Sequence, residues 1–250
     1  MTSVLDMARC CRAVYRDNPL VAGWHRERVY NPPGTGFYAA LFTHHYKDGS
    51  GRLEAILAIR GTVWFSGFDG ATNMMLALGV TPLQYRQARS ALIDALQWLD
   101  IHPEHFYLTG HSQGGGLAAL AAARHRVPVQ VVTFNAPGVC RAAVNSILGV
   151  SVLWNQCSHY RLEKYYAAFD RSLHIRCQHD IVSAVVGPQI SGCTRTLLNR
   201  YCIRLGWHHW CMPPWGLYRF LRRAACAHSM ATVLELVAQQ PVFRRPVRWV

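Results

Sequence analysis

The chain has 250 residues, 51% of them hydrophobic and 16% charged, a balance that excludes intrinsic disorder and suffices for one sizeable core. Its longest apolar runs, near residues 74–80 and 117–123, fall well short of the ~18 consecutive apolar residues of a membrane-spanning helix, so no transmembrane segment is expected. Lys and Arg total 26 against 13 Asp and Glu, a formal net charge of +13, and a field of that sign attracts polyanions.

No internal repeat, low-complexity tract or linker interrupts the chain, so one domain over residues 1–250 is expected. Val4, Leu5, Ala8, Cys11, Ala13, Val14 and Tyr15 give residues 2–16 a helical spacing that stops before Asn18-Pro19. Residues 37–46 read as a strand, Lys47-Asp48-Gly49-Ser50-Gly51 as a turn, and 52–60 as the antiparallel return. Apolar positions 83, 88, 91, 92, 95, 96 and 99 make 82–99 an amphipathic helix. The rhythm then becomes strand (106–109), helix (114–125) and strand (129–134), with a further strand at 173–177. Such alternation calls for an α/β fold, a mostly parallel central sheet flanked by crossover helices. Residues 205–221 differ: Trp207, Trp210, Trp215, Tyr218 and Phe220 stand among prolines and glycines without a period. The wider span 190–224 is therefore a candidate aromatic-rich cap.

Gly110-His111-Ser112-Gln113-Gly114 falls between the expected strand 106–109 and the helix 114–125, the strand–turn–helix setting of a nucleophile elbow. There a serine hydroxyl projects at the carboxyl edge of the sheet, above a helix amino end whose dipole favours developing negative charge. Such a serine needs a base, and the base needs a carboxylate to hold its tautomer. The order along the chain is then serine, acid, histidine. The acids after Ser112 are Glu163, Asp170, Asp180 and Glu235. Asp180 follows strand 173–177 by a short loop and so shares the sheet edge of Ser112. Asp170 precedes that strand, Glu163 falls in a helix or loop, and Glu235 sits inside the last helix. The histidines after Asp180 are His208, His209 and His228. The first two lie in the aromatic stretch, whereas His228 opens the amphipathic segment 229–238, a junction suited to a base. Two donors are needed for the oxyanion. One is expected from the backbone N–H of Gln113, the other from Thr62, which follows strand 52–60 after Arg60-Gly61. No metal or organic cofactor is required by this chemistry.

Several segments then resemble one family, in its order. Ala58-Ile59-Arg60-Gly61-Thr62 with Asp69-Gly70-Ala71-Thr72-Asn73 resembles the oxyanion loop of class 3 (fungal-type) lipases and their bacterial lipase-like relatives. Gly110-His111-Ser112-Gln113-Gly114-Gly115 is similar to their elbow, with Gln113 where Leu is commoner. Thr133-Phe134-Asn135-Ala136-Pro137-Gly138 resembles the strand end that follows it. His179-Asp180-Ile181-Val182-Ser183 and Ala227-His228-Ser229-Met230 resemble the acid and base segments. The resemblance runs over about residues 2–240. It implies an α/β-hydrolase fold and hydrolysis of acyl-lipid carboxylic esters, of lipase or phospholipase A type. It also implies Ser112 as nucleophile, Asp180 as acid, His228 as base, and Thr62 and Gln113 as oxyanion donors. Thioesterases and acyltransferases use the same triad, and a catalytically idle membrane-binding protein can keep the fold. These are the alternatives.

Residues 205–223 interleave aromatics with Arg219, Arg222 and Arg223, and Arg204 precedes them. That mixture suits a lipid–water boundary, where rings bury and guanidinium groups pair with phosphates. Trp207, Trp210 and Trp215 are the lipid-interface candidates, expected to make peripheral contact with a membrane that the charge suggests is of anionic phospholipid; the alternative is a folded loop whose tryptophans fill core. Zinc-finger spacing, an aromatic RNA-binding signature and a phosphate-cradling loop are all missing from the sequence, so nucleic acid is not an expected partner. The nine cysteines form no Cys-x-x-Cys pair, which makes buried free thiols the expectation and a metal site not. Asp6, Arg9, Arg12 and Arg16 break up any secretory apolar stretch. A cytoplasmic location is the expectation, with export by a signal-independent bacterial route as the alternative.

Overall fold

The computed structural model describes residues 2–16, 20–61, 83–123, 128–140, 171–180, 182–183, 189, 193–198 and 225–247. Among these residues seven strands make one sheet whose spatial order is the chain order. They are β1 (His25–Tyr30), β2 (Ala39–His45), β3 (Leu53–Ile59), β4 (Phe106–His111), β5 (Gln130–Phe134), β6 (Ser172–Cys177) and β7 (Cys193–Leu197). The first three run antiparallel to one another, and β3 through β7 are parallel. Among the described residues the named α-helices are α1 (Val4–Ala13), α2 (Leu83–Leu99), α3 (Gln113–Ala123) and α4 (Met230–Gln239).

Strand alternation divides the core in two. Ala39 and Leu41 of β2, Ala55, Leu57 and Ile59 of β3, and Phe106 and Leu108 of β4 meet α2 and α3 on one face. Ala40, Phe42, Ile56, Ala58, Tyr107, Val132 and Phe134 meet α1 and α4 on the other. A strand covered on both sides reads as an unbroken apolar run, and Ala55-Ile56-Leu57-Ala58-Ile59 is one, with every residue fully buried. Each large side chain so buried contributes about 1.5–3 kcal/mol of apolar transfer. The helix α3 is buried all round, which its Gly and Ala content permits by letting it lie close against β4 and β5.

The expected strands at 37–46, 52–60, 106–109, 129–134 and 173–177 and the helices at 2–16, 82–99 and 114–125 all correspond to observed elements. β4 runs two residues past its expected end, because Gly110 and His111 pair with Thr133 and Phe134. Two strands went unread. Among the described residues β1 and β7 are the sheet's edges, each paired on one side, and neither carries an apolar alternation. β7 falls inside the 190–224 span: Cys193–Leu197 pairs with β6 in the sheet, while residues 199–224 lie outside the described residues. Among the described residues Cys10, Cys11, Cys140 and Cys177 are buried free thiols, and Cys193 and Cys226 are exposed ones. No described helix is long and apolar enough to cross a membrane.

Candidate active site

The parallel strands all point their carboxyl ends to one edge, and the chain leaves each in a loop there. Ser112 follows β4, Asn135 follows β5 and Asp180 follows β6, while Gly61 stands two residues past β3. Ser112 has φ of +55°, a conformation a non-glycine residue holds only when its surroundings impose it. Its N–H donates to the Phe134 carbonyl at 2.9 Å, and its own carbonyl accepts from the Gly115 N–H at 2.9 Å as α3 begins. The glycines around it are required by contact. A Cβ on Gly110 would strike the Gly114 backbone, and one on Gly114 would strike the main chain of Ile59 and Arg60. Only without those atoms can strand, elbow and helix pack at this spacing.

The Ser112 hydroxyl lies 2.7 Å from His228 Nε2, and His228 Nδ1 lies 2.7 Å from Asp180 Oδ1. The second carboxylate oxygen accepts the Ser183 N–H at 2.9 Å. The Asp180 side chain has no exposed surface, while that of His228 keeps 15%. Burial alone would push the Asp180 carboxyl upward. The hydrogen bond and charge of His228, helped by Ser183, outweigh it and hold the group below the ordinary carboxylate range, so it is an anion.

His228 ends a short helical turn, and Ser229 starts the next helix by accepting the Ala231 N–H at 3.2 Å. Two side chains from the sheet edge grip this turn. Asn135 Nδ2 donates to the Ala227 carbonyl at 2.8 Å while its Oδ1 accepts the Cys177 N–H at 2.7 Å. His111 Nε2 meets the His228 carbonyl at 2.6 Å. On its other side His111 Nδ1 is 2.8 Å from Tyr15 Oη, which also takes the Gly61 N–H at 3.1 Å.

Ser112, Asp180 and His228, separated by up to 116 positions, thus stand in one hydrogen-bonded line. Gln113 is buried next to Ser112, but its side chain donates to Gln84 Oε1 at 2.5 Å, and Gln84 in turn donates to the Thr35 carbonyl at 2.9 Å. Any part Gln113 plays toward a substrate is therefore a backbone one. Thr62, Trp207, Trp210 and Trp215 lie outside the described residues. Three residues at the site were not anticipated. Asn135 and His111 both lie inside motifs that were recognised for other reasons. Tyr15 shows in the sequence only as the last position of the helical spacing over 2–16, and it reaches the site from the amino-terminal segment, 96 positions before His111.

A mostly parallel sheet with a serine elbow at its carboxyl edge and the histidine delivered from the last helical segment is the α/β-hydrolase fold. Within it the chain belongs to the family of Tle-like phospholipase domains, whose family model matches residues 7–196. Among curated proteins it is similar to an extracellular phospholipase A1 of Serratia liquefaciens, 25% identical over 208 residues that make up 83% of this chain and 57% of that protein. The chain thus spans little more than half the length of that relative. Among solved structures it is similar to the extracellular lipase LipA of Serratia marcescens, with a TM-score of 0.53 and 15% identity over 89% of this chain and 40% of that one. The Lip2 lipase of Yarrowia lipolytica aligns with a TM-score of 0.47 and 16% identity over 78% of this chain and 77% of that one.

Proposed function

We propose that the protein is a serine carboxylic ester hydrolase acting on acyl lipids, a phospholipase A or lipase, through an acyl-enzyme formed on Ser112. The observation that carries the reading is the line Ser112 Oγ, His228 Nε2, His228 Nδ1, Asp180 Oδ1, with 2.7 Å at both links. His228 Nε2 takes the hydroxyl proton as Ser112 Oγ attacks the ester carbonyl, and the electron pair of the C=O moves onto oxygen. Asp180 keeps the imidazole in the tautomer with its lone pair on Nε2 and stabilises the imidazolium that forms. Collapse of the tetrahedral species breaks the ester C–O bond, and the departing alcohol takes the proton back from His228. Water then repeats the sequence on the acyl-serine and frees the fatty acid.

The backbone N–H of Gln113 and residue Thr62 are the proposed oxyanion donors. Gly61, the residue before Thr62, supports the second: a Cβ built on it would lie 3.0 Å from Ser112 Cβ, so the exit of β3 presses against the nucleophile. The family and the relative named a phospholipase A1 support a phospholipid as substrate. The charge of +13 favours an anionic membrane surface reached by peripheral contact. For location we take export over the cytoplasmic expectation, because the curated relative is described as extracellular.

The test is mass spectrometry of a mixed lipid extract before and after incubation, with Ser112→Ala protein as the blank. Free fatty acid and lysophospholipid should appear with the wild type and be absent from the blank. Products equally abundant in both would overturn the assignment. Transfer of the acyl group to an added alcohol in preference to water would replace hydrolysis by acyl transfer.

A further inference from the structure

His111 adjoins the nucleophile and takes no part in the proton line, yet its ring is buried and both its nitrogens are engaged. A carbonyl only accepts, so the 2.6 Å contact with the His228 carbonyl places the ring hydrogen on Nε2. Nδ1 then carries its lone pair, and Tyr15 Oη, 2.8 Å away, donates to it. The phenolic oxygen in turn accepts the Gly61 N–H. The donors run one way, from Gly61 through Tyr15 and His111 to the carbonyl of the residue read as the base.

We propose that Tyr15 and His111 are positioning residues of the reaction, forming a side-chain link that holds the His228 turn and the exit of β3 in register around Ser112. The proposal rests on the hydrolase reading above. Three features of the site give the link its purpose. Consecutive carbonyls, of Ala227 and His228, are each held by a side chain from the sheet edge, Asn135 and His111, and so the imidazole is fixed from behind. Proton transfer from Ser112 depends on that fixing, since a drift of about 1 Å can lower a rate about 100-fold. At the other end a Cβ on Gly61 would lie 2.6 Å from Tyr15 Oη, so the tyrosine also sets how closely the residue before Thr62 approaches. The His111 and His228 ring centroids are 5.0 Å apart, close enough for a charge on one to oppose a charge on the other. Burial first, then the neighbouring His228, pushes His111 down to about 3, only partly offset by its bond to the His228 carbonyl and by the Asp180 charge. It is therefore neutral when His228 becomes an imidazolium.

The test compares wild type, Tyr15→Phe, His111→Gln, the double variant and Ser112→Ala on a short soluble ester, with KM and kcat separated. Tyr15→Phe keeps the ring and removes the hydroxyl's bonds to His111 and Gly61; His111→Gln keeps a donor and an acceptor but hangs them on a rotatable amide in place of the rigid ring that spaces them. Each should lower kcat about tenfold with KM within about twofold of wild type. The double variant should lose little more than the worse single one, because both changes cut the same link. Both single variants retaining kcat within about twofold, or losses that multiply, would overturn the proposal. In unmodified protein, nitrogen NMR should find the His111 ring as the Nε2–H tautomer from pH 5 to 8, and an Nδ1–H tautomer overturns the proposal whatever the variants do. Turnover that survives in Ser112→Ala removes the hydrolase reading and this proposal together. Turnover lost there but undiminished in Tyr15→Phe and His111→Gln removes this proposal alone.

Discussion

Ser112, Asn135 and His179 hold φ at +55°, +47° and +69°, and all three stand just beyond the carboxyl ends of β4, β5 and β6. Left-handed backbone at a non-glycine residue costs about 1–3 kcal/mol, so three of the four such residues described place strain at the edge where the site is built, the fourth being Asp100 just after α2. Cross-strand bonds hold it there: Ser112 N–H to the Phe134 carbonyl, and Asn135 N–H to the Ile175 carbonyl at 2.8 Å. His111 adds a second stress, one that depends on pH. Its pKa falls from 6.5 in the unfolded chain to about 3 in the folded one. Above pH 6.5 it is neutral in both states and contributes no pH dependence; between pH 6.5 and about 3 the unfolded chain binds one proton more, so stability falls with pH. At pH 5 this amounts to about 2 kcal/mol. Asp180, an anion held below its ordinary range, adds a loss of the same sign at lower pH, as acid protonates it. Urea unfolding at pH 7 and pH 5 should therefore show a smaller acid loss for His111→Gln than for wild type, by about 2 kcal/mol. Equal losses in the two proteins would show that His111 titrates normally.

At the scale of the element, the amino-terminal helix is the piece whose role exceeds its size. Ser3 and Asp6 form a reciprocal cap: the Asp6 N–H donates to Ser3 Oγ and the Ser3 N–H donates to the Asp6 carboxylate, both at 3.1 Å. The helix buries Val4, Leu5, Met7, Ala8, Cys10 and Cys11 against the sheet and α4, and two residues past its end it delivers Tyr15 to the site. Ser3→Ala should lower stability by about 1 kcal/mol in denaturant unfolding while leaving kcat on a soluble ester unchanged. The helix was legible because its apolar spacing is local. The edge strands were not. In His25-Arg26-Glu27-Arg28-Val29-Tyr30 nothing but pairing with β2 makes a strand, and that partner lies in another part of the chain. The same holds for Cys193–Leu197 against β6.

At the scale of the whole molecule, the charge of +13 bears on the proposed contact with a lipid aggregate. The proposed contact combines the arginine excess of the sequence with Trp207, Trp210 and Trp215. Replacing these three by Ala should reduce binding to anionic vesicles at least about tenfold while changing hydrolysis of a short soluble ester by less than about twofold. Co-sedimentation and a soluble-ester assay on the same samples measure both. Equal losses would assign the tryptophans to the core. Raising the salt should weaken vesicle binding of the wild type, because exposed charges are screened beyond a Debye length of about 8 Å at physiological ionic strength.

The sequence by itself determined the layered α/β class and pointed to Ser112 on an elbow, with Asp180 and His228 as its proposed partners. Each of these follows from short-range patterns: the period of apolar residues, glycines where chains must touch, and the order in which strand ends present their loops. Tertiary structure alone decided that His228 stands 2.7 Å from both Ser112 and Asp180, that Gln113 turns its side chain to Gln84, and that Tyr15 and His111 link the His228 turn to the exit of β3. Those contacts join residues up to 117 positions apart. Their partners are selected by packing against the same sheet edge, and no local pattern in the chain encodes which side chains will meet there.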